Sequence, residues 1–303
     1  MNEHLKGTQT ITKQELQTLL AQPGWYLMAE AAVNESLLSS VPEEKFAQRR
    51  LYWDEMGQQN SSISPFLLPL DCFSRAEKNI THVAHWGIAV QLHDDFQSLT
   101  TDHQIDLIQK HFRAWTLVVL PDDQQVLMRL TDWDIFNVLW RSTDPAHLSD
   151  LQGPLKRVAY WQAGNDAVAV REMSAPRQTR PMVMPNRLSE RQYQALSAWG
   201  DRHVYQQYRT HLYQHHPQTQ NWDDETFNQY LLRSVNSAHQ LGFYQQADVV
   251  VYLSISLLLG EQFHQSDWAQ SILQSPQVIG DQSRMDRLLA EAVNALGEDA
   301  TES

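Results

Sequence analysis

Two histidines in the second half of the chain have the spacing of metal ligands. His211 and His215 are four residues apart in a predicted helix, so both imidazoles lie on one face of it. A third ligand would come from His203, His216, Asp223, Asp224 or Glu225. The Glu-bearing zinc-protease pattern is absent, and Pro217 ends the helix here. The alternative is a solvated helix end, where imidazolium groups favour the C-terminal dipole.

Two carboxylates after a predicted strand form a second candidate metal site. Asp132 and Asp134 flank Trp133, and many sugar-nucleotide transferases hold a divalent cation with this Asp-x-Asp pattern, because paired carboxylates suit a hard ion. The structural alternative is that Asp134 caps a helix beginning at Ile135. Either Asp132 with Asp134 or His211 with His215 would support a metal-dependent transferase or hydrolase.

No other pattern in the sequence indicates catalysis. There is no Gly-x-Ser-x-Gly elbow, Gly-x-Gly-x-x-Gly turn or Walker loop among the 11 glycines. Cys72, the single cysteine, has no neighbouring signature of a nucleophile. Apart from these two candidate metal sites, the residues form no catalytic constellation, and we assign no catalytic, cofactor-binding or metal-binding residues.

Charge and composition exclude several classes of partner. The 303 residues include 23 basic and 36 acidic side chains, a formal net charge of −13, which disfavours nucleic acid and anionic membrane surfaces. A single cysteine and the absence of an apolar signal in residues 1–10 favour the cytoplasm. The most apolar run, Val249 to Leu259, is about half the ~20 residues of a membrane span and predicts a buried helix.

Apolar runs predict a sheet in the first half. We expect strands at 25–32 and 85–92, and two prolines place the segment 64–70 at a sheet edge or in a loop. Runs at 115–120 and 126–130, separated by a polar turn, predict a β-hairpin.

Capping-box patterns predict helices after Thr12 and Thr101, and a short apolar helix is expected at 135–140. The mixture of hairpin, strands and helices predicts an α+β fold. Its N-terminal lobe, residues 1–163, is expected to be a mixed α/β lobe whose sheet contains the hairpin.

The second half is predicted to be helical throughout. Prolines and arginines in residues 164–188 indicate a linker, and a strand is expected at 167–171, before its proline-rich part. An all-helical C-terminal lobe follows at 189–296, with a frayed acidic tail at 297–303. Its helices are expected at 189–214, 224–240, 245–259, after Ser266 and at 282–296.

Aromatic residues are numerous for a chain without a cofactor signature. Ten Trp and ten Tyr are present, and Trp199, Tyr205 and Tyr208 lie on the predicted helix 189–214. The apolar stripe by which one helix packs on a core needs fewer aromatic rings than this helix carries. The surplus aromatic residues therefore predict either a protein-binding surface or a contact between the two lobes. The sequence favours neither alternative over the other.

Five short motifs follow one another in the first lobe. They are Trp25–Ala32, Ser64–Leu67, Trp86–Val90, His111–Arg113 and Arg129–Trp133. In this order they resemble the effector adaptor (chaperone) family of type VI secretion. Glu30 stands where that family usually has Asp, and the aromatic and proline of its Arg-aromatic-x-Asp-Pro motif are replaced, leaving Arg129 and Asp132. The resemblance continues in the second lobe at Leu241–Phe243, Gly260 with Phe263, and Trp268 with Ile272 and Leu273.

The resemblance implies a cytoplasmic adaptor rather than an enzyme. Such a protein binds a secreted effector protein and helps to load it onto the spike protein at the tip of the secretion tube. It also implies that Trp86, Gly87, Arg129 and Asp132 are structural signature residues.

Arg129 lies inside the predicted strand 126–130, where an unpaired buried guanidinium would be very costly. We therefore predict an ion pair with Asp132 or Glu30. The effector is expected to bind mainly through apolar and backbone contacts in the cleft between the lobes, with Trp199, Tyr205 and Tyr208 as candidate partner-binding residues.

Overall fold

A computed structural model describes residues 8–30, 45–69, 87–161, 167–173 and 185–299. The chain divides into two compact units, residues 1–197 and 198–303. The strands are β1 Thr8–Thr12, β2 Trp25–Glu30, β3 Pro65–Pro69, β4 Gly87–Leu92, β5 Leu117–Val119, β6 Gln125–Leu127, β7 Leu155–Trp161, β8 Ala167–Glu172, β9 Asn186–Arg187, β10 Val278–Ile279 and β11 Gln282–Ser283.

The α-helices are named in the same way, in chain order. They are α1 Lys13–Leu20, α2 Phe46–Arg49, α3 Asp54–Gln59, α4 Thr101–Thr116, α5 Trp133–Ser142, α6 Leu148–Gln152, α7 Glu190–His215, α8 Asp224–Gln240, α9 Gln246–Leu259, α10 Asp267–Leu273 and α11 Arg284–Asp299. The fold is α+β: a mixed first unit precedes a helical second one. None of the described helices combines the length and apolarity that crossing a membrane requires.

A six-stranded antiparallel sheet organises the first unit. Its strand order is β1-β8-β7-β4-β2-β3. Every residue of β2 and of β4 is buried, so both faces of the sheet are covered. Successive side chains of a strand point to opposite faces. Tyr26 and Met28 accordingly enter one apolar core with α4, whereas Leu27 and Ala29 enter a second core with α1.

The predicted strands are present where the chain is described. β2 and β4 confirm the runs at 25–32 and 85–92, and the proline-flanked β3 lies at the sheet edge as expected. Pro65 and Pro69 lack backbone N–H donors, so an edge position leaves fewer hydrogen bonds unmade. Residues 31, 32, 70, 85 and 86 lie outside the described residues.

The strand expected at 167–171, at the start of the predicted linker, is present. Residues 167–172 form β8, which pairs with β1 and β7, and β9 pairs with β5 in a second sheet. Val168 and Val170 are buried in the core that contains α1. The alternating Ala-Val-Ala-Val pattern therefore describes this segment better than its proline and arginine content. The first unit consequently extends to Ser197, inside α7.

The predicted hairpin is present but lies in a separate sheet. β5 and β6 are antiparallel, with Leu117 opposite Leu127, and β9 joins them in a three-stranded sheet. Trp115 and Thr116 still belong to α4, so the hairpin begins later than expected. β6 ends at Leu127, so Arg129 lies beyond the strand rather than within it.

Side chains at the N-termini fix where several helices begin. The capping box at α1 is confirmed, since Thr12 N donates to Glu15 Oε2 at 2.7 Å and Glu15 N donates to Thr12 Oγ1 at 3.2 Å. The second predicted box is displaced by one residue: Thr100, not Thr101, accepts from His103 N at 3.4 Å and caps α4.

The second unit is built from helices and one hairpin of two-residue strands, β10 and β11. Its core combines side chains from five helices, including Leu212, Phe227, Leu253, Ala269 and Leu288. The predicted helices are present with small shifts at their ends. α11 continues through Gly297 to Asp299, so the predicted frayed tail at 297–303 begins inside a helix. A glycine in a helix costs only about 1 kcal/mol and need not end it.

Candidate functional site

A buried carboxylate joins the main sheet to the segment that follows the hairpin. Glu30, at the end of β2, is 3% exposed. Its Oε1 accepts a short hydrogen bond from Thr131 Oγ1, and its Oε2 lies 3.4 Å from Arg129 Nη2. A buried carboxylate needs such partners because desolvation of an isolated charge is expensive. Glu30, Arg129 and Thr131, together with the cap Asp132, are called the signature junction below.

The predicted ion pair between Arg129 and Glu30 is confirmed, but Arg129 is not buried. Its side chain is 51% exposed, while that of Glu30 is 4% exposed. The guanidinium therefore closes over the carboxylate from the solvent side. The nearby Tyr52 is also buried, and burial followed by the Glu30 charge raises the pKa of its hydroxyl.

Asp132 caps α5 with its side chain. Its Oδ1 accepts from Asp134 N at 2.8 Å and from Ile135 N at 3.4 Å. The cap is therefore Asp132 and not Asp134, and the helix begins at Trp133 rather than Ile135. This corrects the expectation that Asp134 holds the first amides. One of the two Asp132 carboxylate oxygens is thus engaged with the backbone of α5.

Gly87 begins β4 at a point of close backbone approach. Its φ is +153°, and a Cβ built on it would lie 2.0 Å from the carbonyl oxygen of Met28 on β2. Only glycine fits between these two strands, which supports the structural role that the resemblance implies for this residue. Trp86, its partner in the motif, lies outside the described residues.

His111 and Arg113, of the His-aromatic-Arg motif, both hold the fold together. His111 is fully buried, and a Cβ on Gly153 would lie 2.2 Å from its Nδ1. Burial lowers the pKa of His111 to about 4. Arg113 donates from Nε to the Leu51 carbonyl at 3.0 Å and from Nη2 to the Arg50 carbonyl at 3.1 Å.

Sequence reasoning missed a buried cation on β8. Arg171 is 2% exposed and lies between Trp133 and Trp140, 5.4 and 5.7 Å from their ring centroids. Burial, followed by the charge of Arg141, lowers its pKa to about 10. Trp133 thus places a ring over the buried guanidinium, where a cation–π contact favours the charge. No sequence signal linked Arg171 to these two rings, although the strand that carries Arg171 was expected at 167–171.

The two histidines at the end of α7 are neighbours, as their spacing predicts. The ring centroids of His211 and His215 are 4.5 Å apart. Burial and the charges of His215 and His216 lower the pKa of His211. His216 Nε2 lies 3.0 Å from Ser254 Oγ.

The acidic residues proposed as a third ligand have other roles. Asp223 caps α8 through Thr226 N, and Asp224 pairs with Arg209. In the parts of the chain that the structure describes, no group of three His, Cys, Asp or Glu side chains is placed to hold a metal ion. The metal-dependent alternative gains no support from this geometry.

A shallow depression of about 260 Å³ runs along the polar face of α7. It is lined by His203, Gln206, Gln207, Thr210, His211 and Gln214. All six side chains come from one helix, so the depression lacks the apolar walls of a typical small-molecule site.

The three candidate partner-binding aromatics have different environments. Tyr208 is 3% exposed and packs in the core of the second unit, so the prediction that it contacts a partner is wrong. Tyr205 is half-buried against the same core, with its ring centroid 6.2 Å from that of Tyr208. Trp199 is partly exposed and stacks on His203 at 5.1 Å. Residues 205 and 208 are i and i+3, so both rings lie on the core side of α7.

Comparison with known families adds one match. Residues 25–150 match the family model described as Domain of unknown function (DUF4123). The matched segment begins at β2 and ends in α6, and it contains the whole signature junction. No curated protein and no solved structure matches the chain.

Proposed function

We propose that the protein is an adaptor of type VI secretion, which binds one effector protein and helps to load it onto the spike protein of the secretion tube. The observation that carries this proposal is the match of residues 25–150 to DUF4123. The motifs that resemble the effector-adaptor family lie in that segment. We propose a cytoplasmic location and a role in binding rather than catalysis.

The geometry of the first unit supports binding as the function. Motif residues that carry charge form internal contacts: Arg129 pairs with Glu30, Asp132 caps α5, and Arg113 holds two backbone carbonyls. These contacts stiffen a scaffold. A rigid scaffold lowers the entropy that a partner must lose on binding, which favours an adaptor that presents a preformed surface.

The proposal is tested by deleting the gene and measuring the export of every type VI effector by quantitative mass spectrometry of cells and medium. We expect one effector to disappear from the medium, because only its own adaptor is lost. Secretion of the tube protein should stay at the wild-type level, and the full-length chain should restore export. Unchanged export of all effectors would contradict the proposal.

Direct binding is measured with the tagged full-length chain and the affected effector in a co-purification. An Arg187→Ala variant is a suitable control, because Arg187 pairs with Asp123 at an exposed position remote in sequence from the signature junction. We expect the control to bind as the wild type does. Failure of the wild-type chain to retain the effector would show that the export defect is indirect.

A further inference from the structure

The two edges of the six-stranded sheet differ in how they are covered. At one edge, β3 begins and ends with a proline. The outer side of β3 also contacts the chain itself, because Leu51 N donates to the Pro65 carbonyl at 2.7 Å. Arg50 adds an isolated antiparallel bridge to Phe66. Prolines and additional backbone contacts are common means of protecting a sheet edge, so β3 is closed to a further strand.

β1, at the opposite edge, has none of these features. Its five residues pair with β8 in regular register, and among the described residues β8 is its only strand partner. The sequence Thr-Gln-Thr-Ile-Thr contains no proline and no charge. Such a strand lacks the usual protection of an edge and is suited to β-augmentation, in which an extended segment of a partner adds to the sheet.

The direction of the backbone groups of β1 follows from its last residue. Thr12 N donates to the side chain of Glu15 at 2.7 Å, so this amide is not directed at β8. Backbone groups of an antiparallel strand point alternately to its two sides. Thr8 and Thr10 therefore share the outward direction of Thr12, and their N–H and C=O groups are the ones available to an added strand.

A buried cation lies beside this edge. Arg171 of β8 is opposite Thr8 and donates from Nε to Thr8 Oγ1 at 3.2 Å, so the guanidinium extends toward β1. Its Nη1 is buried and has no hydrogen-bond partner in the described part of the chain. Burial and then the charge of a second cation, Arg141, lower its pKa. The adjacent carboxylate on β8, that of Glu172, pairs with Arg157 instead.

We propose that the outer side of β1 accepts an extended segment of the effector as an added strand, with an acidic side chain of that segment beside Thr8, where it neutralises Arg171. Neighbouring strands are about 4.8 Å apart, so the added strand lies about 10 Å from β8. Because Arg171 already reaches Thr8, an acidic side chain opposite Thr8 lies within about one strand spacing of the guanidinium. Opposite charges attract strongly at this distance where water is excluded.

Charge complementarity favours a partner segment over self-association. A second copy of β1 would bring only threonine, glutamine and isoleucine, and no carboxylate for Arg171. The inference rests on the proposed function, because the added segment is assigned to the effector.

The first test uses a peptide in place of the effector. The probe is a fluorescent, end-capped peptide of about seven residues, long enough to cover β1, with valines on one face and a central glutamate between threonines on the other. One control has glutamine in place of glutamate. A second control is N-methylated along its backbone and cannot donate hydrogen bonds to a strand. Binding to the full-length chain is measured by fluorescence anisotropy.

We expect the glutamate peptide to bind about tenfold more tightly than the glutamine peptide, and the N-methylated peptide not to bind measurably. Arg171→Met should bind both unmethylated peptides equally, because the cation is gone; an apolar side chain of similar length at a buried charge is well tolerated. Arg187→Met is the matched control, since Arg187 is an exposed arginine of the same unit, on β9. It should keep the tenfold preference.

The position of the bound peptide is measured by hydrogen exchange resolved to single residues. We expect slower exchange at Thr8 and Thr10 when the glutamate peptide is added, and unchanged exchange in β3. Thr10→Pro should weaken binding by about tenfold or more, because it removes an outward N–H and leaves the hydrogen bonds to β8 in place. Circular dichroism of each variant verifies that the fold is retained.

Equal affinity of the wild type for the glutamate and glutamine peptides would overturn the proposal, as would the absence of binding or protection at β3 instead of β1. Slow exchange of the Thr10 amide in the free protein would also overturn it, because the edge would then be occupied already. Light scattering would assign the occupant to the same chain if the protein is a monomer and to a second copy if it is a dimer.

The link to the effector is tested with Arg171→Met in the co-purification. We expect this variant to retain several-fold less effector than Arg187→Met does. Equal retention by the two variants would refute docking at β1 and leave the adaptor function intact, since that function is measured independently by export in the deletion strain.

Discussion

The two units bury different kinds of side chain. Among the described residues, the buried acidic and basic side chains (Asp, Glu, His, Lys and Arg) of the first unit are Glu30, Arg49, His111 and Arg171, whereas the second unit buries His216. The first unit also contains all six lysines of the chain. Its polar groups are held in pairs and stacks, while the second unit depends on apolar helix packing. Sequence motifs that contain charged residues therefore lie mainly in the first unit, and the second unit carries few of them.

The largest effect that tests this contrast is expected in the second unit. Tyr208→Ala should lower the free energy of unfolding by about 4 kcal/mol, because a buried ring is replaced by a cavity. Tyr213→Ala is its matched control, since Tyr213 on the same helix is 51% exposed. Hydrogen exchange read by mass spectrometry should show faster exchange in α8 and α9 for the first variant only. Equal effects of the two variants would contradict the assignment of Tyr208 to the core.

In the first unit, disturbing the close backbone approach at Gly87 should lower the free energy of unfolding more than removing any single ion pair. Gly87→Ala is expected to cost about 3 kcal/mol, because the added Cβ forces β4 away from β2. Gly200→Ala, at a position where a Cβ meets nothing within 4 Å, is the control and should be neutral or stabilising. Urea denaturation of the full-length chain measures both changes. A wild-type midpoint for Gly87→Ala would refute the close approach.

The buried His111 should make the free energy of unfolding of the first unit depend on pH. Its pKa of about 4 lies below the ordinary value of 6.5, so between these values the unfolded chain binds a proton that the folded chain excludes. The destabilisation begins as pH falls below 6.5 and is complete below about 4. Lowering the pH from 7 to 5 should therefore cost about 2 kcal/mol through this residue.

His111→Leu removes this contribution and leaves the other histidines in place. The difference between wild type and variant in unfolding free energy, measured by urea titration at pH 7 and pH 5, isolates it. We expect the variant to lose about 2 kcal/mol less than the wild type over this range. Parallel losses in both proteins would show that His111 takes up its proton in the folded state.

The smallest expected effect concerns the signature junction. Arg129→Ala should lower the free energy of unfolding by about 1 kcal/mol. The guanidinium is half-exposed, and the buried Glu30 carboxylate that it faces would keep its hydrogen bond from Thr131. Arg187→Ala removes a more exposed pair and should not change the urea midpoint measurably. If the two variants behave alike, the Glu30 pair contributes no more than an ordinary surface ion pair, and the contrast between the two units weakens.

Local signals predicted much of the fold. The capping box at Thr12 and the apolar runs of β2 and β4 depend on neighbours within a few residues, and the structure contains them. The position of β8 could not be predicted as easily, because β1, one of its partners, lies more than 150 residues away in sequence. The strand itself was expected at 167–171, but nothing in the sequence indicated β1 as its partner.

The signature junction was predictable only in part. Arg129 was expected to pair with Asp132 or Glu30, on the argument that a buried charge needs a partner, and the structure shows the pair with Glu30. Thr131 and Tyr52 carried no sequence signal, because their roles depend on which side chains the folded chain brings near Glu30. Tyr208 was misassigned since aromatic spacing alone does not separate a core stripe from a binding surface.

The strand order of the large sheet has a consequence for synthesis. β1 cannot pair with its sheet neighbour β8 until β8 has left the ribosome, about 160 residues later. At roughly 5–20 residues per second, this delay is on the order of ten seconds. Throughout that time the threonine-rich β1 segment has no β8 to pair with, and the sheet closes last at this edge. High contact order of this kind makes folding slow and places the final closing step after translation of the whole first unit.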